Sequence, residues 1–154
     1  MKSRVIAYFD GSGTDHAGRR IQDVLAWEDI KLETVHDYIQ WLFPNREPSA
    51  FSPEAPLLTD QDVHVFREKA VLRAALGSAV DRMERFYKLG DERPWWVTPG
   101  NHNFLRLTRI LICLNELGLG PRATLLFERL SDIRRRTGSV IPVRTMGFWL
   151  EAVG

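Results

Sequence analysis

The segment from His102 to Leu117 restricts the fold more than any other stretch of the chain. On a 3.6-residue repeat, Phe104, Leu105, Leu107, Ile110, Leu111, Ile112, Leu114 and Leu117 cover well over half of the helix circumference. Only a helix packed on several sides can satisfy that distribution, so this segment is placed at the centre of the fold. What remains polar in it is a stripe: His102, Arg106, Arg109, Cys113 and Glu116 follow one another at steps of four, three, four and three, along one side of the helix. On an outer face the stripe is an ordinary solvated strip. If other elements cover it, two guanidiniums need acidic or carbonyl partners or an anionic ligand, because an unpaired buried charge is costly.

Shorter helical repeats flank this segment. Ile21, Val24 and Leu25 fall three or four apart, and from Glu33 to Phe43 the residues Val35, Tyr38, Ile39, Trp41 and Leu42 share one broad arc. One helix is expected across 33–43, ended by Pro44, with Trp41 in the core. Thr59 followed by Asp60 and Asp62 predicts a helix start. That helix runs to Tyr87 with a break near Lys69, and Gly90 closes it. Pro121 opens another helix that ends at Gly138, and its last turn holds Arg134, Arg135 and Arg136, where positive charge suits the helix dipole. Arg144 to Val153 forms a short closing helix. Residues 44–58, with four prolines, and 91–100, with Pro94, Trp95, Trp96 and Pro99, are loops. Val5, Ala7 and Phe9 alternate, which predicts a short extended segment. The expected fold is all-α: a single domain over 1–154, an irregular bundle of about six to seven helices around a central helix at about 102–118, with Pro/Trp-rich loops.

The chain has 154 residues, 44% apolar and 27% charged, with a formal charge of +1, an ordinary globular composition. No apolar stretch approaches bilayer length, so no membrane insertion is expected. A single cysteine, Cys113, excludes an intramolecular disulfide and a multi-cysteine metal site, and points to a reduced, cytoplasmic location. Cys113 lies mid-helix among apolar residues, where a thiol is inert. Glycines at 11, 13 and 18 lack phosphate-loop spacing. Glu33 and His36, three apart, could face one metal, but no second pair stands at the same spacing, so neither metal nor other cofactor is expected. Acids dominate from Trp27 to Phe66 and arginines from His102 to Arg144; these read as solvated faces and internal pairs.

Two strings carry a family resemblance: His36-Asp37-Tyr38-Ile39-Gln40-Trp41-Leu42-Phe43-Pro44 followed by Arg46-Glu47-Pro48, and His102-Asn103-Phe104-Leu105-Arg106-Leu107-Thr108-Arg109-Ile110-Leu111 followed by Leu117-Gly118-Leu119. They resemble the opioid growth factor receptor domain. The likeness takes in Tyr8-Phe9, Ile21 to Leu25, Ala55 to Thr59 and Phe86-Tyr87, and spans about Tyr8 to Trp149. The resemblance implies an α-helical domain unrelated to membrane opioid receptors, named for an animal member that binds an enkephalin peptide and is associated with the nucleus, with no established catalytic residues. The chain departs from the animal pattern by lacking a long C-terminal extension and basic targeting signals and by a longer step between Trp96 and His102. A compact, arginine-rich copy of this kind looks like a microbial member.

The functional expectation is a non-catalytic binding module for a peptide or small anionic ligand, monomeric or weakly dimeric. Its site is expected from His36, Trp41, Trp96, His102, Asn103, Arg106 and Arg109, with indole walls from Trp41 and Trp96 and polar orientation from His102 and Arg106. The alternative is an enzyme with an unrecognised, metal-assisted or metal-free site around His36 and His102. A lesser one, nucleic-acid binding through the C-terminal arginines, lacks the basic balance and motifs that accompany it.

Overall fold

The computed structural model describes residues 2–154. Among them it forms nine α-helices and no strand. The chain divides into two compact units, Met1–Arg82 and Met83–Gly154, with the boundary inside α6.

The first unit holds α1 (Arg4–Asp10), α2 (Ile21–Leu25), α3 (Asp29–Thr34), α4 (Ile39–Leu42), α5 (Asp60–Glu68) and the first part of α6 (Ala70–Tyr87). The expected extended segment at Val5–Phe9 is instead α1. Its buried residues are Val5, Ile6, Tyr8 and Phe9, a helical spacing that alternation at 5, 7 and 9 overlooked. Ser3 caps it, with Oγ accepting from Ile6 N at 3.2 Å. The same hydroxyl donates to Asp62 Oδ1 at 2.6 Å. Asp62 in turn completes the expected start of α5: its Oδ2 accepts from Thr59 N at 3.1 Å, and Thr59 Oγ1 accepts from Asp62 N at 3.1 Å, a reciprocal capping box. One buried carboxylate thus serves two helix N-termini. The break near Lys69 is present, between α5 and α6.

The single helix expected over 33–43 is not formed. α3 stops at Thr34, Val35 is extended, and α4 resumes at Ile39. The cause is polar: the Tyr38 hydroxyl donates to Leu32 O at 2.7 Å, and the Asp37 carboxylate is drawn to Arg19 and His16. Glu33 and His36 therefore do not share a helix face. At the other end of α3, Arg82 donates to Trp27 O at 2.7 Å and Asp29 Oδ1 at 2.8 Å.

The second unit holds the rest of α6, α7 (Asn103–Glu116), α8 (Gly120–Thr137) and α9 (Val143–Val153), with α7 packed on both α8 and α9. Leu107, Ile110, Leu111 and Leu114 of α7 are buried, each contributing about 1.5 to 3 kcal/mol of burial. The helix is not apolar-in on every side, however: Leu105 is 70% exposed while Arg106 is buried. α7 ends in Gly118 at φ 89°, and Leu119 N donates to Leu114 O at 2.9 Å, a Schellman closure that a left-handed glycine permits. α6 ends at Tyr87, with Lys88 in the left-handed region, two residues before the glycine expected to close it. Its last carbonyls are taken by successive indoles, Trp95 Nε1 to Phe86 O at 3.0 Å and Trp96 Nε1 to Tyr87 O at 2.8 Å, satisfying acceptors that a helix end leaves open.

Candidate functional site

In the first unit, the side chains with most chemistry gather around Trp41. The turn at 11–20 carries Asp15, His16 and Arg19, and the break after α3 presents Asp37 beside them. Arg19 Nε donates to Asp15 Oδ2 at 2.6 Å and Arg19 Nη2 to Asp37 Oδ1 at 3.0 Å. His16 Nε2 lies 3.0 Å from Asp37 Oδ2, and Trp41 Nε1 donates to His16 Nδ1 at 3.2 Å. These contacts form one continuous hydrogen-bonded path from Trp41 through His16, Asp37 and Arg19 to Asp15. The imidazole continues the plane of the indole from its N–H edge, centroids 6.2 Å apart and planes 23° apart, and the Arg4 guanidinium stands 5.0 Å from the Trp41 ring. Burial acts to raise the Asp37 carboxyl, but hydrogen bonds from Arg19 and His16 outweigh it and hold it below its ordinary range. Burial weakens the Arg19 cation and its two carboxylate bonds more than restore it, leaving it above the usual guanidinium range. The Tyr8 hydroxyl, sealed nearby, has no hydrogen-bond partner among the described residues. Burial first, and then the Asp15 charge, push its ionisation well above the phenol range.

His16 was not among the expected site residues. Both of its ring nitrogens are engaged, so as arranged it cannot act as a general base. Trp41, expected in the core, is 2% exposed. His36 is exposed and lies against Phe51, centroids 5.9 Å apart. Its carbonyl accepts from Gln40 Nε2 at 3.2 Å.

In the second unit, α7 and the residue before it carry His102, Asn103, Arg106 and Arg109, and Trp96 lies in the preceding loop. His102 is exposed at the helix start, Asn103 is fully buried, Arg106 is 6% exposed and Arg109 is half-buried. The stripe is therefore largely covered, and reading it as a solvated strip does not hold. Burial depresses the Arg109 guanidinium, against a smaller opposing influence of Cys113, and burial raises the Cys113 thiol well above its ordinary range. Asn103 braces the helix start: its Oδ1 accepts from the Tyr87 hydroxyl at 3.0 Å, and its Nδ2 donates to Asn101 Oδ1 at 3.0 Å and lies 3.4 Å from His102 Nε2. Trp96 is fully buried, with its N–H on the Tyr87 carbonyl; the half-exposed indole is Trp95.

The C-terminal arginines serve the fold. Arg134 donates to Ile141 O at 2.8 Å, Arg135 to Asp132 Oδ1 at 2.8 Å, and Arg136 to Leu89 O at 3.0 Å and Glu92 O at 3.1 Å. Among the described residues no helix is long and apolar enough to cross a membrane, and no three metal-ligating side chains gather.

With this geometry in view, residues 17–130 match the family model described as "Opioid growth factor receptor (OGFr) conserved region". The chain is 38% identical to the opioid growth factor receptor of Homo sapiens, over 64% of this chain and 17% of that protein. It is 38% identical to the Mus musculus receptor, over 66% and 19%, and 35% identical to opioid growth factor receptor-like protein 1 of Mus musculus, over 57% and 22%. The chain thus spans about a fifth of the length of these curated relatives. They are vertebrate proteins and lend no support to the expected microbial source. No solved structure matches.

Proposed function

The chain belongs to the opioid growth factor receptor conserved-region family, and from that premise we propose that it is a non-catalytic binding module for a peptide or a small anionic ligand. The relatives' names denote receptors, which supports a role of recognition. The observation that carries the anionic preference is on α7, where Arg106 is buried and Arg109, three residues on, is depressed by burial. A guanidinium fork withdrawn from water meets a carboxylate with two parallel N–H···O bonds, and the lower local polarity strengthens that contact. His102 stands exposed at the start of the same helix and adds a donor, while Asn103, held by the Tyr87 hydroxyl, braces the backbone beside it and Trp96 ties the preceding loop to the Tyr87 carbonyl. Taken by itself, the first unit has its own proposed ligand contacts in Trp41 and in His36, whose ring lies on the exposed Phe51. A cytoplasmic location and a monomeric or weakly dimeric state belong to this reading.

Thermal melts against a library of short peptides with free carboxylates test it. A bound peptide raises Tm, because it stabilises only the folded state. Arg106→Lys keeps the charge and removes the fork; it is expected to melt near the wild type and lose the ligand-dependent rise. Arg109→Ala is expected to lower Tm without ligand, as a structural clamp. If no carboxylate peptide shifts the wild-type melt, or the shift persists in Arg106→Lys, the reading fails.

A further inference from the structure

An indole N–H can donate but never accept. Trp41 Nε1 lies 3.2 Å from His16 Nδ1, so Nδ1 must hold a lone pair, and the proton of the neutral ring sits on Nε2, toward Asp37 Oδ2 at 3.0 Å. The structure therefore selects one of the two neutral tautomers. From this we infer that His16 is a proton-controlled latch on Trp41, closed while the imidazole is neutral and released when it is protonated. This inference does not rest on the ligand-binding reading.

Protonation affects the two ties oppositely. The bond to Asp37 becomes a charged pair and is kept. At Nδ1, however, a new N–H meets the N–H of Trp41, donor against donor, and that contact cannot survive. Trp41 is 2% exposed, so its N–H regains an acceptor only if the segment over it moves. That segment is the 11–20 turn, in which the His16 side chain retains 19% exposure. The turn's other anchors do not involve the imidazole: Arg19 to Asp15 at 2.6 Å, Arg19 to Asp37 at 3.0 Å, and Asp15 N to Arg19 O at 2.8 Å. Release is thus confined to the edge of the turn that carries His16. The ionisable groups around the ring are Asp37 from the α3–α4 break and Asp15 and Arg19 from its own turn, with Tyr8 and Arg4 from α1 packed against its indole partner. Asp37 attracts the imidazolium while Arg19 and Arg4 oppose it, so the charged ring stays on Asp37 and leaves the indole.

The test is nitrogen NMR on the whole labelled chain. At about pH 8, above the imidazole range, His16 is expected to show an unprotonated Nδ1 and a protonated Nε2. As the pH is lowered, water exchange at the Trp41 indole N–H, taken relative to a buried indole tied only to a backbone carbonyl, should rise about tenfold or more as local opening is released, in step with the appearance of a proton on His16 Nδ1. The buried Trp149 indole N–H, bonded to Phe104 O at 3.3 Å, serves as the reference for the intrinsic pH dependence of exchange. His16→Gln can copy both bonds without titrating, by accepting from Trp41 through Oε1 and donating to Asp37 through Nε2, and should hold Trp41 exchange level with the reference. A protonated Nδ1 at the upper pH overturns the inference, as does wild-type Trp41 exchange that tracks Trp149 throughout. Both readings come from the wild type, so they decide the matter even if the variant fails to fold.

Discussion

The two units reach order by different physical routes. In the first, α1 to α4 contain 7, 5, 6 and 4 residues, lengths at which a helix has no stability of its own. They are held by side chains that reach backbone or one another: Ser3 and Thr59 with Asp62, Tyr38 with the Leu32 carbonyl, and Arg19 with Asp15 and Asp37. In the second, α7, α8 and α9 have 14, 18 and 11 residues and meet through apolar stripes. Short helices therefore stand or fall with individual polar contacts, whereas long ones depend on side-chain volume.

The comparison breaks first at Trp41, which combines both modes: it fills the core of the first unit and ends its polar path. Trp41→Ala should cost about 3 to 5 kcal/mol, the range for removal of a large core side chain, read from the denaturant midpoint at unchanged slope. A midpoint equal to the wild type's would mean that α4 contributes nothing to the core. Next is Arg19→Ala, which strips a charged donor from the buried Asp15 and from Asp37; about 2 to 3 kcal/mol is expected. The sign of the pH dependence follows from Asp37, whose folded pKa is depressed. Its contribution is present above the unfolded carboxylate value near about 4 and is lost as pH falls through the folded value. Asp10, held at about 2 chiefly by its bond from Lys2, acts in the same direction. Protection against hydrogen exchange, corrected for the intrinsic rate, should thus fall in the first unit as pH drops below about 4, and Arg19→Ala should flatten that response; an acid profile identical to the wild type's would remove Asp37 from the account.

A smaller effect is expected where the second unit depends on backbone shape. Gly118 sits at φ 89° in the closure of α7, and Gly118→Ala should cost about 1 to 2 kcal/mol, the strain of an L-residue in that region. Thermal melting equal to wild type would show that the closure relaxes freely. Smallest of all is Arg135→Ala. Its pair with Asp132 is open to solvent on both sides, so a change within about 0.5 kcal/mol is expected; a larger loss in the chemical melt would show that the second unit, too, leans on its charges.

The same contrast explains what could be read from sequence. The start of α5 was legible because Thr59 and Asp62 make their box locally, and α8 because Pro121 and Gly138 bracket it. The break between α3 and α4 was not, since it depends on Tyr38 folding back on Leu32 and on Asp37 meeting residues of the 11–20 turn. Periodicity located the polar stripe of α7 but could not say which side faces in, so the burial of Arg106 and the exposure of Leu105 came only from packing. The position of His16 in a hydrogen-bonded path was not legible because a turn has no repeat to mark it. Its two partners, Asp37 and Trp41, lie 21 and 25 residues away, and no local pattern links them.

The carboxylate shared by two helix starts has a consequence for synthesis. Ser3 and Asp62 are separated by 59 residues, so on a ribosome adding about 5 to 20 residues per second the partner of the Ser3 hydroxyl arrives roughly 3 to 12 s after Ser3 itself. Through that interval α1 has its local cap but not the acceptor that orients it, and its apolar side chains lack the α5 residues against which they will pack. Within its unit, the helix made earliest is thus among the last to become fixed.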